Sequence, residues 1–204
     1  TTAWASAQTV AAEVAIFIDE PTEGWKVIED ISYSLGGNFI VQDDGLFTFR
    51  SYDSARTVDQ TIEYFELLGE LQVDYDTSEV LTSCRVGYDK DWNEDTYTEY
   101  LYNSTESIIQ DKFKFYRERK FETLLTASGS AATYGANIMA VSDDVRPILR
   151  VKTKMQSVDR ELSDMVNVKY KLKNRDFTGT MSCEVIGKSV NLDDMTVELT
   201  LRKT

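Results

Sequence analysis

The stretch Asn38-Phe39-Ile40-Val41-Gln42-Asp43-Asp44-Gly45-Leu46-Phe47-Thr48-Phe49-Arg50 decides how the chain is read. Two short runs of β-branched and aromatic residues flank Asp-Asp-Gly, and Asp-Gly supplies the positive-φ backbone that a tight hairpin needs. Asp43 and Asp44 also have the oxygen chemistry of calcium ligands, but the turn accounts for them without a metal. Upstream, Gly36-Gly37 ends a helix whose apolar positions Trp25, Ile28, Ile31 and Leu35 share one face; Thr22 is placed to cap its start and Glu23 lies in its first turn. Earlier still, Val10, Val14, Phe17 and Ile18 recur at helical spacing and predict a helix from Trp4 to Ile18.

Downstream, residues 51–79 are mixed and acidic, with a short helix or strand through Ile62 to Leu68. From Val80 to Tyr88 the chain alternates, with Cys84, Val86 and Tyr88 on one face and Ser83, Arg85 and Gly87 on the other, which predicts a half-buried strand. The polar stretch Asp89 to Asp95 is its loop, and aromatic-rich Tyr97 to Tyr102 its partner. Lys112-Phe113-Lys114-Phe115-Tyr116-Arg117-Glu118-Arg119-Lys120 interleaves basic and aromatic residues. It reads as a two-faced strand with Phe113 and Phe115 inward, and secondarily as a nucleic-acid platform. Ser128 to Val141 predicts a helix despite its internal glycine. Ile148 to Met155, Met165 to Leu172, Met181 to Ser189 and Met195 to Arg202 predict strands, with turns at Asn174-Arg175-Asp176 and Asn191-Leu192-Asp193-Asp194. No internal repeat of 20 to 50 residues is evident. The expected class is α+β, mainly antiparallel β as a barrel or sandwich, with a small helix-plus-hairpin α/β subdomain. The expected division is residues 1–79 and residues 80–204, the latter with one helix near 128–141.

Composition narrows the function. The 204 residues include 42% hydrophobic residues, enough for a core, and no apolar run of membrane-spanning length. Thr1-Thr2-Ala3 carries neither an initiator Met nor a signal pattern, as expected of a fragment or a processed product. Histidine is absent, which removes the commonest general base and every Ser-His-Asp or Cys-His arrangement. Cys84 and Cys183 read as reduced, packed thiols. The net charge of −13 is uneven: residues 1–111 carry 23 acidic and 5 basic residues, whereas residues 112–204 carry 12 and 17. A solvated acidic surface explains this, as do opposite faces that meet other subunits or an acidic passage from which DNA is repelled; sequence-independent DNA binding needs the opposite sign.

No residues qualify as catalytic, cofactor-binding or metal-binding by motif, and no cofactor is implied. Asp89-Lys90-Asp91-Trp92-Asn93-Glu94-Asp95 resembles the opening of a calcium loop. Counted from Asp89, however, the sixth place holds Glu94 in place of Gly and the twelfth Tyr100 in place of Glu. A solvated hairpin tip is expected there, with weak calcium binding by loop 89–95 left open.

The order of elements resembles a recurring piece of phage tail hub and baseplate hub proteins. The helix ending at Gly36-Gly37 and the two strands around Asp43-Asp44-Gly45 carry the likeness. So do Ser107-Ile108-Ile109, Phe121-Glu122-Thr123-Leu124-Leu125, the Ala-rich helix at Ala131 to Met139, Pro147 before a strand, and Leu162-Ser163-Asp164-Met165-Val166-Asn167-Val168. The closing pair runs from Cys183-Glu184-Val185-Ile186-Gly187 to Thr196-Val197-Glu198-Leu199-Thr200-Leu201. The likeness covers roughly residues 22 to 204. One departure is Ser163-Asp164, where such proteins commonly have Gly-Asp. The resemblance implies β-barrel domains with a small α/β insertion, assembled as a homo-oligomeric ring, often a trimer. That ring joins the tail tube to the tip, contacts tail tube and distal tail proteins, and belongs to a virion assembled in the bacterial host cytoplasm. The family carries no catalytic residues in this region. Two other readings stand beside it: a host-surface carbohydrate-binding module using Trp92, Tyr97 and Tyr100, and a cell-wall hydrolase with a facing carboxylate pair, which no spacing singles out.

Overall fold

The computed structural model describes residues 12–43, 45–51, 58, 60–102, 106–171 and 178–204. The chain divides into two compact units that interleave along the sequence. The first takes its residues from 1–41, 45–53 and 79–144, the second from 42–44, 54–78 and 145–204. The class is α+β and sheet-rich, with mostly antiparallel pairing.

The first unit begins with helix α1 (Gly24–Ser34), followed by strands β1 (Gly37–Val41) and β2 (Phe47–Ser51). These strands pair antiparallel with Phe39 opposite Phe49. The helix stops because Gly36 takes φ +71°, a conformation that costs glycine nothing. Gly45, at φ +80°, turns the hairpin as its Asp-Gly signal required; Asp44 lies outside the described residues. Thr22 does not cap α1. Glu23 holds that place without a side-chain bond, and the Thr22 hydroxyl donates to the Glu20 carbonyl instead.

The predicted helix from Trp4 to Ile18 lies outside the described residues as far as residue 11, and the rest is not helical. Val14 forms an antiparallel bridge with Leu125, the Ala15 amide donates to the Leu124 carbonyl, and the Thr126 amide donates to the Glu13 carbonyl. An extended β-branched and aromatic run thus finds backbone partners far along the chain, and that pairing overrides its local spacing.

Strands β5 (Ser83–Asp91), β6 (Thr96–Tyr102) and β7 (Glu118–Glu122) form a three-stranded sheet in the order β6-β5-β7, with β7 parallel to β5. Between β6 and β7 lies helix α2 (Glu106–Phe113). The interleaved segment 112–120 is therefore not one strand. It ends a helix at Phe113, turns through Lys114 at φ +59°, and enters a strand at Glu118. Phe113 and Phe115 stay half-buried, their rings 5.8 Å apart. Helix α3 (Ser128–Ser142) packs on β5 and β6. Gly135 permits this approach: its carbonyl lies 3.7 Å from the Cys84 sulfur, and a Cβ there would meet Tyr102 Cβ at 3.1 Å. Tyr33 of α1, Phe121 of β7 and Tyr134 of α3 meet as an aromatic trio with centroids 6.1 to 6.5 Å apart. Ser34, buried at the end of α1, donates to the Asp30 carbonyl and accepts the Leu124 amide, so it fastens the helix to the chain after β7.

The second unit is a six-stranded sheet in the order β3-β9-β10-β11-β8-β4. Its strands are β3 (Gln60–Ile62), β4 (Gln72–Asp74), β8 (Ile148–Lys154), β9 (Met165–Lys171), β10 (Thr178–Asn191) and β11 (Thr196–Lys203). All neighbours are antiparallel except β3 with β9. In β11, Val197, Leu199 and Leu201 are buried with Leu149, Val151, Val166, Val168, Cys183, Val185 and Ile62, whereas Met195, just before the strand, is 60% exposed. A barrel or sandwich was expected, and the sheet does not close into a barrel. Ile62 pairs beside β9 and Leu67 beside β8, so two edges of the curl are joined by the Glu63–Glu66 turn and not by a ladder. The predicted turn at Asn174-Arg175-Asp176 lies outside the described residues. Ser163, where glycine was expected, takes φ +67°, so the position does ask for a residue tolerant of the left-handed region.

The β5–β6 and β10–β11 hairpins end in the same way. In one, Asp91 pairs with Thr96, its carboxylate accepts the Asn93 and Glu94 amides, and Asp95 takes φ +50°. In the other, Asn191 pairs with Thr196, its side-chain oxygen accepts the Asp193 and Asp194 amides, and Met195 takes φ +53°.

Candidate functional site

A groove of about 340 Å³ opens in the first unit, lined by the extended segment Ile16-Phe17-Ile18, one stripe of α1, and residues of β5, β6 and the chain around β7. The α1 stripe is Lys26, Asp30 and Tyr33, spaced i, i+4 and i+7, so all three fall on one helical face. The apolar stripe read from sequence points elsewhere: Trp25 packs against Phe39 and Phe47, each with centroids 6.2 Å away. Across the groove, Phe17 and Trp92 tilt toward each other at 6.2 Å, with Phe17 61% exposed. The Lys90 ammonium lies over the Trp92 ring at 4.5 Å and the Tyr97 ring at 5.3 Å, and forms an ion pair with Asp95 at 2.7 Å. That pair raises the Lys90 pKa and lowers that of Asp95, chiefly through the hydrogen bond between them.

Beside the groove, the sheet face turned away from α3 carries a ladder of charge. Arg85 bonds Glu118 at 2.6 Å and Glu99 at 3.3 Å, and Lys120 meets Glu99 at 3.2 Å and Glu122 at 3.3 Å. The Arg85 hydrogen bond holds the Glu118 carboxyl below its ordinary range, and the Lys120 hydrogen bond does the same for Glu99. These are exposed pairs, and each contributes little on its own. Lys120 and Glu118 are thereby engaged within the sheet.

Of the three aromatic residues singled out for carbohydrate, Trp92 and Tyr97 come together at the groove. Tyr100 does not, because it pairs with Val86 on the sheet face that α3 covers. Phe17, Lys26 and Asp30 were missed by sequence reasoning. The i, i+4, i+7 stripe was available as a signal, but it looks like the wet side of an amphipathic helix. In the acidic loop 89–95, Asp91 closes the turn and Asp95 pairs with Lys90. Among the described residues, no three His, Cys, Asp or Glu side chains gather to hold a metal ion. Cys84 and Cys183 are free and buried, and burial pushes both thiols up to about 11.

No protein-family model matches the sequence, and neither does any curated protein. Solved structures do. The fold is similar to that of the tail protein from Neisseria meningitidis MC58, at 14% identity and a TM-score of 0.59, covering 98% of this chain and 66% of that one. It is also similar to a chain of the virion of a native gene transfer agent particle, at 11% identity and a TM-score of 0.57, covering 85% of this chain and 37% of that one. At such identities the likeness is one of fold, and the chain spans only part of either relative.

Proposed function

We propose that this chain is a non-enzymatic structural segment of a phage tail tip or baseplate hub. In this reading, copies join as a ring of three that connects tail tube to tip and lets DNA pass. The observation that carries it is the fold likeness to a tail protein across 98% of the chain. Surfaces suited to assembly accompany it. Phe47 and Leu46 expose apolar area beside Trp25, and among the described residues β6 and β4 end their sheets with one side of each strand unpaired by another strand. Charge fits a passage for DNA. Read by unit, the chain carries 19 acidic and 9 basic residues in the first and 16 and 13 in the second, so neither has the cationic excess that phosphate binding needs. The partners are further copies, tail tube and distal tail proteins, and the location is the virion, assembled in the bacterial host cytoplasm.

The test is the particle mass in solution, followed by negative-stain imaging. Three copies of 23.2 kDa around a central opening are expected. A single-copy mass at every concentration, with no ring in images, would remove the reading.

A further inference from the structure

We propose that the groove beside α1 is a binding site for neutral or zwitterionic saccharide, a role that goes beyond ring formation. Three observations converge on it. First, its volume of about 340 Å³ is that of a small-ligand site, and it is open enough to admit one or two residues of a longer polymer. Second, one wall is aromatic. Phe17 is 61% exposed and Trp92 39%, and their rings offer the flat apolar faces on which the C–H side of a pyranose rests. Third, α1 lines the groove with Lys26 and Asp30, one helical turn apart, and among the described residues neither side chain enters an ion pair or hydrogen bond. Charged side chains left uncommitted in a concave surface are placed to bond the hydroxyls of a ligand at little desolvation cost.

Charge balance selects the ligand class. Lys26 and Lys90 face Asp30 and Glu122 among the lining residues, and Lys90 is paired with Asp95 and Glu122 with Lys120, so the charges around the groove balance. An acidic polysaccharide or a polyphosphate finds no net attraction there, whereas a neutral or zwitterionic glycan can use donors and acceptors of both signs.

The test is binding of the full chain to an array of bacterial surface glycans printed as neutral, zwitterionic and acidic sets. Amide and indole shifts are then followed by NMR during titration with the strongest binder. Saturable binding confined to the first two sets, with shifts at the Trp92 indole, is expected. Trp92→Ala and Asp30→Asn should each weaken it about tenfold or more, and Tyr75→Ala, in the other unit, should leave it unchanged. Asp30→Asn is nearly isosteric, so its effect is readable even where Trp92→Ala disturbs the fold. No saturable glycan, preference for the acidic set, binding undiminished in both variants, or capture only of extended peptides would overturn the proposal. The ring is read by mass and the groove by glycan, so each idea fails separately.

Discussion

Helix α3 contains two glycines that should respond to alanine with opposite sign. At Gly129 a new methyl meets nothing within 4 Å. Alanine there gains only helix propensity and reduced unfolded-state freedom, about 0.5 to 1 kcal/mol. At Gly135 the same methyl would lie 3.1 Å from Tyr102 Cβ, 3.4 Å from its Cγ and 3.5 Å from the Cys84 sulfur. Tyr102 Cβ is fixed to the backbone of β6, so relief requires the helix or the strand to shift. Overpacking of this kind costs roughly 1 to 3 kcal/mol against a propensity gain of about 1 kcal/mol, leaving Gly135→Ala destabilising by about 1 kcal/mol. Urea unfolding followed by tryptophan fluorescence is suited to the comparison, because Trp25 and Trp92 both belong to the first unit. The midpoint should rise for Gly129→Ala and fall for Gly135→Ala. Equal rises in both would refute the idea that α3 is held against the sheet at Gly135.

Three further outcomes are expected. Ser163→Gly should lower the melting temperature: removing a side chain at φ +67° relieves about 1 to 2 kcal/mol, but it also removes the part-buried bond from the Ser163 hydroxyl to the buried Glu184 carboxylate, about 1.5 to 3 kcal/mol, and frees the unfolded chain; a higher melting temperature would count against it. Glu118 and Glu99 have lowered folded pKa values, so the ladder's contribution is present above the ordinary glutamate value of 4.5 and is lost as pH falls through the folded values. Carboxyl NMR titration should therefore place both midpoints below 4.5, and midpoints at or above it would contradict the ladder. Both thiols, pushed up to about 11, should resist a disulfide reagent at pH 8 in the folded chain and react once it is unfolded. Rapid labelling of the native protein would show that Cys84 and Cys183 are not packed as described.

What the amino acids disclosed and what they hid follow from the range of the forces involved. The β1–β2 hairpin was legible because Asp-Gly determines a turn within four residues. The strands β8 and β11 were legible because one wet and one dry face imprint a period of two. The segment around Val14 was not, since its partners at Leu124 to Thr126 lie more than a hundred residues away. Segment 112–120 was misread because alternation and a helix end look alike over nine residues, and only the left-handed Lys114 separates them. At the groove, alternation along β6 already placed Tyr97 and Tyr100 on opposite faces, so their separation was readable. The role of Lys26 and Asp30 was not, because a helix's polar stripe is the same string of residues whether water or an aromatic wall stands opposite.

The two matching hairpin tips separate support from display. Each is secured by main-chain amides reaching an Asp or Asn oxygen and by one left-handed residue; the side chain at the second place, Trp92 in one and Leu192 in the other, takes no part in these bonds. Leu192 is 69% exposed, so nothing among the described residues constrains its identity. Such a position behaves as a mount whose fitting can be exchanged: variants can change what the loop touches while the pedestal beneath stays put, and the two loops can diverge in their contacts without any change of scaffold.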